Sequence, residues 1–204
     1  MAAARGRPPS ARKGARSLPQ ALVDRASELL LQKGHEALSL RAIAAAAGVS
    51  HVAALHHFAS HEALLAAVAV RGFDALLDAV EEAARGGTPR TAFRRAGEAY
   101  VRWALTHANL YRLMFASRLR SATRHEELEL RANRLFEIMS KLVAERRAAR
   151  RRGSGPVEAE AFFAWATAHG ATLLLLDEQA HLKALAPYAP ADLVAVALDR
   201  VGRD

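Results

Sequence analysis

Two short helical signals separated by a glycine occupy residues 39–58, and they constrain the fold more than any other part of the chain. Ser39 and Ser50 each precede a signal and can accept hydrogen bonds from the free amides of a first helical turn. Gly48 stands between the signals, where a helix ends and the chain needs a left-handed residue. The first signal has one apolar stripe at helical spacing, formed by Leu40, Ile43, Ala44 and Ala47. The segment therefore predicts two helices joined by a tight turn, with a stripe that packs against another element.

The second of these helices has small and polar side chains on its outer side. His51, Ala53, His56 and His57 are predicted to face outward, whereas Phe58 is large and apolar enough to anchor the end of the helix in the core. A helix-turn-helix places a helix of this kind in the DNA major groove, where it approaches the edges of the bases. The segment therefore indicates double-stranded DNA as a partner.

Positive charge is concentrated towards the N-terminus. Residues 1–60 contain eight Lys and Arg against three Asp and Glu, so they carry +5 of the formal net charge of +8. Such side chains release counterions when they neutralise phosphates, which favours DNA binding; the alternative is that the charge serves solubility. Residues 1–16 are rich in Gly, Pro and Arg and are expected to form a disordered basic arm. Within this arm, Arg5 and Arg7 form the core of an AT-hook and are candidates for insertion into an A·T minor groove, with non-specific tethering or plain disorder as the alternatives.

The rest of the sequence has helical patterns and no β pattern. We expect an all-α fold of about nine helices. Residues 17–62 are predicted to form a three-helix helix-turn-helix head that binds DNA, and residues 63–204 a second, helical domain.

Several classes of function are disfavoured by the motifs that the chain lacks. It has no cysteine, so no disulfide, thiolate metal site or cysteine nucleophile is available. Neither a Gly-x-Ser-x-Gly elbow, a phosphate loop nor a His-Glu-x-x-His motif is present, and we predict no enzyme activity, no cofactor and no metal site. The uninterrupted apolar stretches are shorter than the roughly 20 residues that cross a bilayer, so we predict a cytoplasmic protein without a membrane segment.

A predicted helix that begins at Pro156 is apolar on every side around Gly170 and the run of four leucines that begins at Leu173. Such a helix needs cover on every side, which favours a four-helix bundle formed across a two-fold axis with the last predicted helix, which Pro190 opens. The interface residues expected from this arrangement are Gly170, Leu173, Leu174, Val194 and Leu198. The alternative is a helix buried centrally within one subunit.

Aromatic and other large side chains are concentrated in the predicted fifth to eighth helices. The set comprises Trp103, His107, Tyr111, Met114, Phe115, Phe136, Met139, Trp165 and His169. Such residues make an ordinary core, which is the first interpretation from the residues alone, and they also line small-molecule sites.

Two parts of the sequence carry a family resemblance. Residues 21–69, through IAAAAGVS at 43–50 and HHFASHEALL at 56–65, resemble the N-terminal DNA-binding domain of the TetR family of bacterial transcriptional regulators. The stretches AYVRWA at 99–104 and LYRLMF at 110–115, followed by Trp165 and His169-Gly170, are similar to the WHG-type ligand-binding domain of one branch of that family.

The resemblance implies that residues 63–204 form a ligand-binding and dimerisation domain. It further implies a homodimeric repressor that a small apolar or aromatic effector, bound within the aromatic set, releases from a palindromic operator. The DNA-facing positions that it implies are Ser39, Arg41, Ser50, His51, Val52, Ala53, Leu55, His56 and His61. Relatives commonly carry a tyrosine at the position of Leu55 and a lysine at that of His61, both in contact with backbone phosphates. These departures predict weaker DNA binding with a shallower salt dependence. The alternative that these departures allow is that the chain is a helical DNA-architectural or partner-binding protein with weakened operator recognition.

Overall fold

The computed structural model describes residues 17–34, 38–116, 119, 126–150, 155–177 and 187–200. Within these ranges the chain is helical without any strand, which confirms the predicted all-α fold. The helices bounded there are α1 (Leu18–Lys33), α2 (Leu40–Ala46), α3 (His51–His57), α4 (His61–Ala84), α5 (Pro89–Thr106), α6 (Ala108–Met114), α7 (Glu126–Arg150), α8 (Val157–Leu176) and α9 (Pro190–Asp199). Arg5 and Arg7 of the predicted basic arm lie outside the described residues.

The first three helices pack together and against the start of α4. Leu22 and Leu30 of α1, Ile43 of α2 and Leu64 of α4 are fully buried in this small core. Helix α4 then continues into the second part of the molecule, where it contacts α5, α6 and α7. The domain boundary predicted after residue 62 therefore falls inside one continuous helix, which both parts share.

Helix α9 is anchored to its own subunit. Gly97 allows α9 to approach α5 closely, because a Cβ at this position would lie 2.1 Å from the Cδ1 of Leu198. The Arg146 guanidinium is buried, lies 4.6 Å from the centre of the Phe93 ring, and donates hydrogen bonds to the carbonyls of Leu198 and Asp199 at 3.4 and 3.2 Å. Burial lowers the pKa of this arginine.

Two residues predicted for the dimer interface lie inside the single subunit. Val194 and Leu198, expected there from the sequence, are buried in the subunit's own core and are covered without a partner. Val196, on the same helix, is an apolar side chain that is exposed.

Helix α8 is covered on one side only. Its buried residues are Ala161, Ala164, Ala168 and Thr172. Phe163 and Leu174 are exposed on the other side, and a Cβ added at Gly170 would meet no atom within 4 Å. By length and composition α8 is the one described helix that could cross a membrane, since its most apolar window of 18 residues has a mean hydropathy of 1.2; 22% of that window is buried. Helix α8 contains no long uninterrupted apolar run, because Glu158, Glu160 and His169 lie among its apolar residues.

Candidate nucleic-acid interface and adjoining cavity

The turn between α2 and α3 has the local geometry that the sequence predicts. The Ser39 hydroxyl accepts a hydrogen bond from the Ala42 amide, and the Ser50 hydroxyl accepts one from the Ala53 amide, both at 3.1 Å. Gly48 has a φ of 71°, the left-handed conformation that glycine adopts without a steric penalty. These contacts are local in sequence, so the turn is defined by residues within a few positions of it.

Helix α3 presents most of its surface to solvent. Ala54 is its only buried residue, whereas Val52 and Leu55 are 62% and 41% exposed. In a helix of 3.6 residues per turn, Val52 and His56 lie opposite Ala54. These two side chains therefore point most directly away from the protein.

The predicted DNA-facing residues of the described chain lie on this exposed side or beside it. The exposed ones are Ser39, Arg41, Ser50, His51, Val52, Leu55 and His56. Ala53 and His61 are half-buried. The helix-turn-helix thus forms a continuous outer surface on the small N-terminal core.

Charge on this surface is sparse. Helix α3 contains histidines but no lysine or arginine, and Leu55 offers no hydrogen-bonding group. Arg41 of α2 makes no hydrogen bond or ion pair with any residue that the structure describes, so its guanidinium is available to a phosphate. No group of three or more His, Asp or Glu side chains within the described ranges is placed to hold a metal ion.

Polar contacts connect the N-terminal core to the rest of the molecule. The Asn109 amide of α6 donates a hydrogen bond to the Leu30 carbonyl near the end of α1 at 3.2 Å. Arg71 of α4 forms an ion pair with Asp24 of α1, with an N–O distance of 2.5 Å. Both α6 and α4 thus contact α1 directly, and α2 and α3 pack against α1.

A cavity of about 270 Å³ lies beside α6, between α4, α7 and α8. Its described lining consists of Phe73, Met114, Phe115, Leu119, Leu128, Glu129, Ala132, Asn133, Leu135, Phe136, Phe162 and Trp165. The volume lies close to the lower end of the range of about 300–1,000 Å³ that is usual for ligand sites. The cavity is therefore suited to a small, largely apolar molecule.

Four of the nine side chains predicted to form the pocket line this cavity, namely Met114, Phe115, Phe136 and Trp165. The other five lie elsewhere. Trp103 stacks on His107 with ring centres 4.5 Å apart, and Met139 is buried on α7 but is not a lining residue. Tyr111 and His169 belong to a polar cluster that contacts two of the lining rings.

This polar cluster joins Tyr100, Tyr111 and His169, and was not foreseen as a unit from the sequence. The two tyrosine hydroxyls are 2.7 Å apart, and they lie 3.1 and 2.6 Å from Nδ1 of the histidine ring. Burial raises the pKa of both phenols, so their hydroxyls remain protonated and each can donate one hydrogen bond within the cluster. The His169 ring also contacts Phe115 and Trp165, at centroid distances of 4.5 and 5.4 Å. The cluster therefore holds two of the aromatic walls of the cavity in place.

Most of the lining residues missed by sequence reasoning come from α7. Leu128, Ala132 and Leu135 follow the helical spacing that identified this helix, and the same spacing puts Glu129 and Asn133 beside them. The signal was present in the sequence, but it did not indicate which face of α7 is turned towards α8.

Comparisons with known proteins agree with this architecture. Residues 22–68 match the family model of bacterial regulatory proteins of the tetR family, and residues 93–201 match that of the tetracyclin repressor-like C-terminal domain. No curated protein matched the chain.

Solved structures of similar shape cover nearly the whole chain. The structure of a protein with unknown function from Rhodococcus sp. RHA1 is 32% identical, with a TM-score of 0.75 over 92% of this chain and 94% of that chain. A regulatory protein in the tetR family from Rhodococcus RHA1 is 20% identical, with a TM-score of 0.68 over 92% and 98% of the two chains. The TetR family transcriptional regulator PfmR from Thermus thermophilus is also 20% identical, with a TM-score of 0.66 over 89% and 97%. Since the two family models together span the helix-turn-helix and the helical core, the chain belongs to the TetR family of DNA-binding transcriptional regulators.

Proposed function

We propose that this protein is a homodimeric repressor that binds a palindromic operator through α2 and α3 and leaves the DNA when a small apolar or aromatic effector occupies the cavity beside α6. The DNA-facing residues proposed for this role are those of the exposed helix-turn-helix surface, with Val52 and His56 directed at the base edges. Arg41 contributes a phosphate contact.

The observation that carries this proposal is the orientation of α3. Only Ala54 of this helix is buried against the protein, and the side opposite Ala54 is exposed. Side chains there can enter a major groove without displacing other described parts of the subunit.

The exposed side of α8 supports the dimer. Phe163, Leu173 and Leu174 are exposed there, and Gly170 leaves room for close approach of a second helix. A contiguous apolar surface of this kind marks an interaction site. A two-fold dimer would present two copies of α3 to half-sites about 34 Å apart, as a palindrome requires.

The cavity supports release by an effector. Its lining includes Met114 and Phe115, at the end of the helix whose Asn109 holds the Leu30 carbonyl of α1. A ligand that favours one position of α6 would therefore bias the position of the helix-turn-helix, and the coupling must act in both directions.

The test is a selection of genomic DNA fragments by the purified full chain at stated salt concentrations. We expect enrichment of one inverted repeat, abolished by Val52→Glu and retained by Leu130→Glu. Both positions carry an aliphatic side chain that is 62% exposed, but only Val52 lies on the helix-turn-helix, so a general effect of the added charge is controlled. A reporter driven by the enriched site should be repressed by the protein.

Smooth enrichment of A·T-rich fragments without a palindrome would instead favour the architectural function. Leu55 is the observation behind that alternative, since it cannot make the phosphate hydrogen bond of the tyrosine found in relatives.

A further inference from the structure

Two polar side chains interrupt the apolar lining of the cavity beside α6. Glu129 and Asn133 are four residues apart on α7, so they lie one above the other on the same side of the helix. Both are exposed, which places them at the solvent edge of the cavity rather than in its interior. The other described lining residues are all apolar.

The nearby arginines of α7 have partners on another helix and do not pair with these two groups. Arg131 and Arg134 are turned towards α4 and pair with carboxylates there, at N–O distances of 3.2 and 3.4 Å. Glu129 lies about 140–160° around α7 from both arginines, and Asn133 lies about 160° from Arg131 and about 100° from Arg134. Neither makes a hydrogen bond or an ion pair with any residue in the described ranges. Their oxygen atoms are therefore available to a bound molecule.

The aromatic rings of the cavity and the Glu129 carboxylate both favour a positively charged ligand. Phe115, Phe136 and Trp165 line it, and the faces of such rings carry a partial negative charge that attracts cations. No lysine, arginine or histidine is among the described lining residues. A carboxylate ligand would face Glu129 without a cationic partner in this lining, whereas an ammonium group would find Glu129 and the Asn133 carbonyl as acceptors.

We infer that the effector is an apolar amine, with one or two rings packed between the aromatic walls and its ammonium group at Glu129 and Asn133. This inference rests on the proposed function, because it names the chemical class of the molecule that releases the DNA. The volume of about 270 Å³ limits the apolar part to a small ring system.

The inference is tested with three probes that share one ring system: 1-naphthylmethylamine, 1-naphthylmethanol and 1-naphthoic acid. Binding to the full chain is measured by calorimetry. We expect the amine to bind about 5-fold more tightly than the alcohol, and the acid to bind most weakly, because the amine alone brings a positive charge to the exposed Glu129 carboxylate.

Glu129→Gln should remove most of the advantage of the amine and change the affinity for the alcohol less than about two-fold. Glu145→Gln is the matched control, since it removes a charge from the same helix at a position outside the cavity. Both sites are on the surface of α7, and unchanged thermal unfolding of the variants would show that the fold is retained.

Tighter binding of the acid than of the amine, an amine affinity that does not respond to Glu129→Gln, or binding of none of the probes would overturn the inference. Release of operator DNA is measured separately. Binding of the amine that depends on Glu129 but leaves DNA bound would support the ligand class and overturn the effector role. Release of DNA by the acid alone would support the effector role and overturn the ligand class.

Discussion

Replacing Leu174 by alanine tests whether the outward side of α8 is the dimer interface. Leu174 is 64% exposed in the single subunit. Complete burial of a leucine side chain stabilises by about 1.5–3 kcal/mol, so the part still open to a partner corresponds to about 1–2 kcal/mol. Two-fold symmetry places this residue in the interface twice, and Leu174→Ala should weaken the dimer by about 2–4 kcal/mol.

That loss corresponds to an increase in the dimer dissociation constant of about 30- to 700-fold. Sedimentation equilibrium over a range of protein concentrations measures it directly. Leu130→Ala is the matched control, because Leu130 is 62% exposed but lies on α7. We expect it to leave the dissociation constant within about three-fold of its original value, because an isolated exposed leucine outside the interface buries no surface when the dimer forms.

Three results would refute the reasoning. The wild-type chain could sediment as a monomer at every concentration, Leu174→Ala could leave the dissociation constant unchanged, or Leu130→Ala could raise it as much as Leu174→Ala does. The last result would move the interface from α8 to the surface of α7.

Further predictions concern DNA binding, the turn and alkaline pH. Arg41→Ala should weaken operator binding and reduce the slope of log K against log salt by about 0.9 for each lost phosphate contact, as measured by fluorescence anisotropy; an unchanged slope would contradict the phosphate role. Gly48→Ala should lower the free energy of unfolding in urea by about 1–2 kcal/mol, because alanine is strained at a φ of 71°, and a more stable variant would contradict this. Burial raises the pKa of Tyr100 and Tyr111 in the folded state, so the unfolded chain releases these protons first. The contribution of the two tyrosines to stability should therefore be fully present below about pH 10 and decrease above it, as measured by urea unfolding at a series of pH values; ionisation of Tyr100 and Tyr111 near pH 10 in the folded protein would disprove the buried cluster.

The departures at Leu55 and His61 bear on affinity rather than on the fold. Leu55 is exposed on α3 and His61 lies half-buried at the start of α4, so neither change disturbs the helix-turn-helix core. A leucine cannot donate to a phosphate, and the salt-dependent part of DNA binding is smaller when fewer cations contact the backbone. Weak operator binding with a shallow salt dependence remains the prediction for this chain.

Sequence alone determined the features whose causes are local. Ser39, Gly48 and Ser50 specify the ends of α2 and α3 through contacts within three or four residues, and periodic apolar residues specify the helices around them. The family resemblance rests on the same short segments.

The tertiary structure decided which side of each helix faces which neighbour. Val194 and Leu198 are apolar, as interface residues often are. Helix α9 approaches α5 closely at Gly97, however, and both side chains are buried in the core of the single subunit. Tyr100, Tyr111 and His169 are brought together across up to 69 positions of sequence, and Phe73 joins the cavity from α4. Helical periodicity defines the residues that share a face, whereas the rotation of one helix against another depends on the packing of all the helices at once.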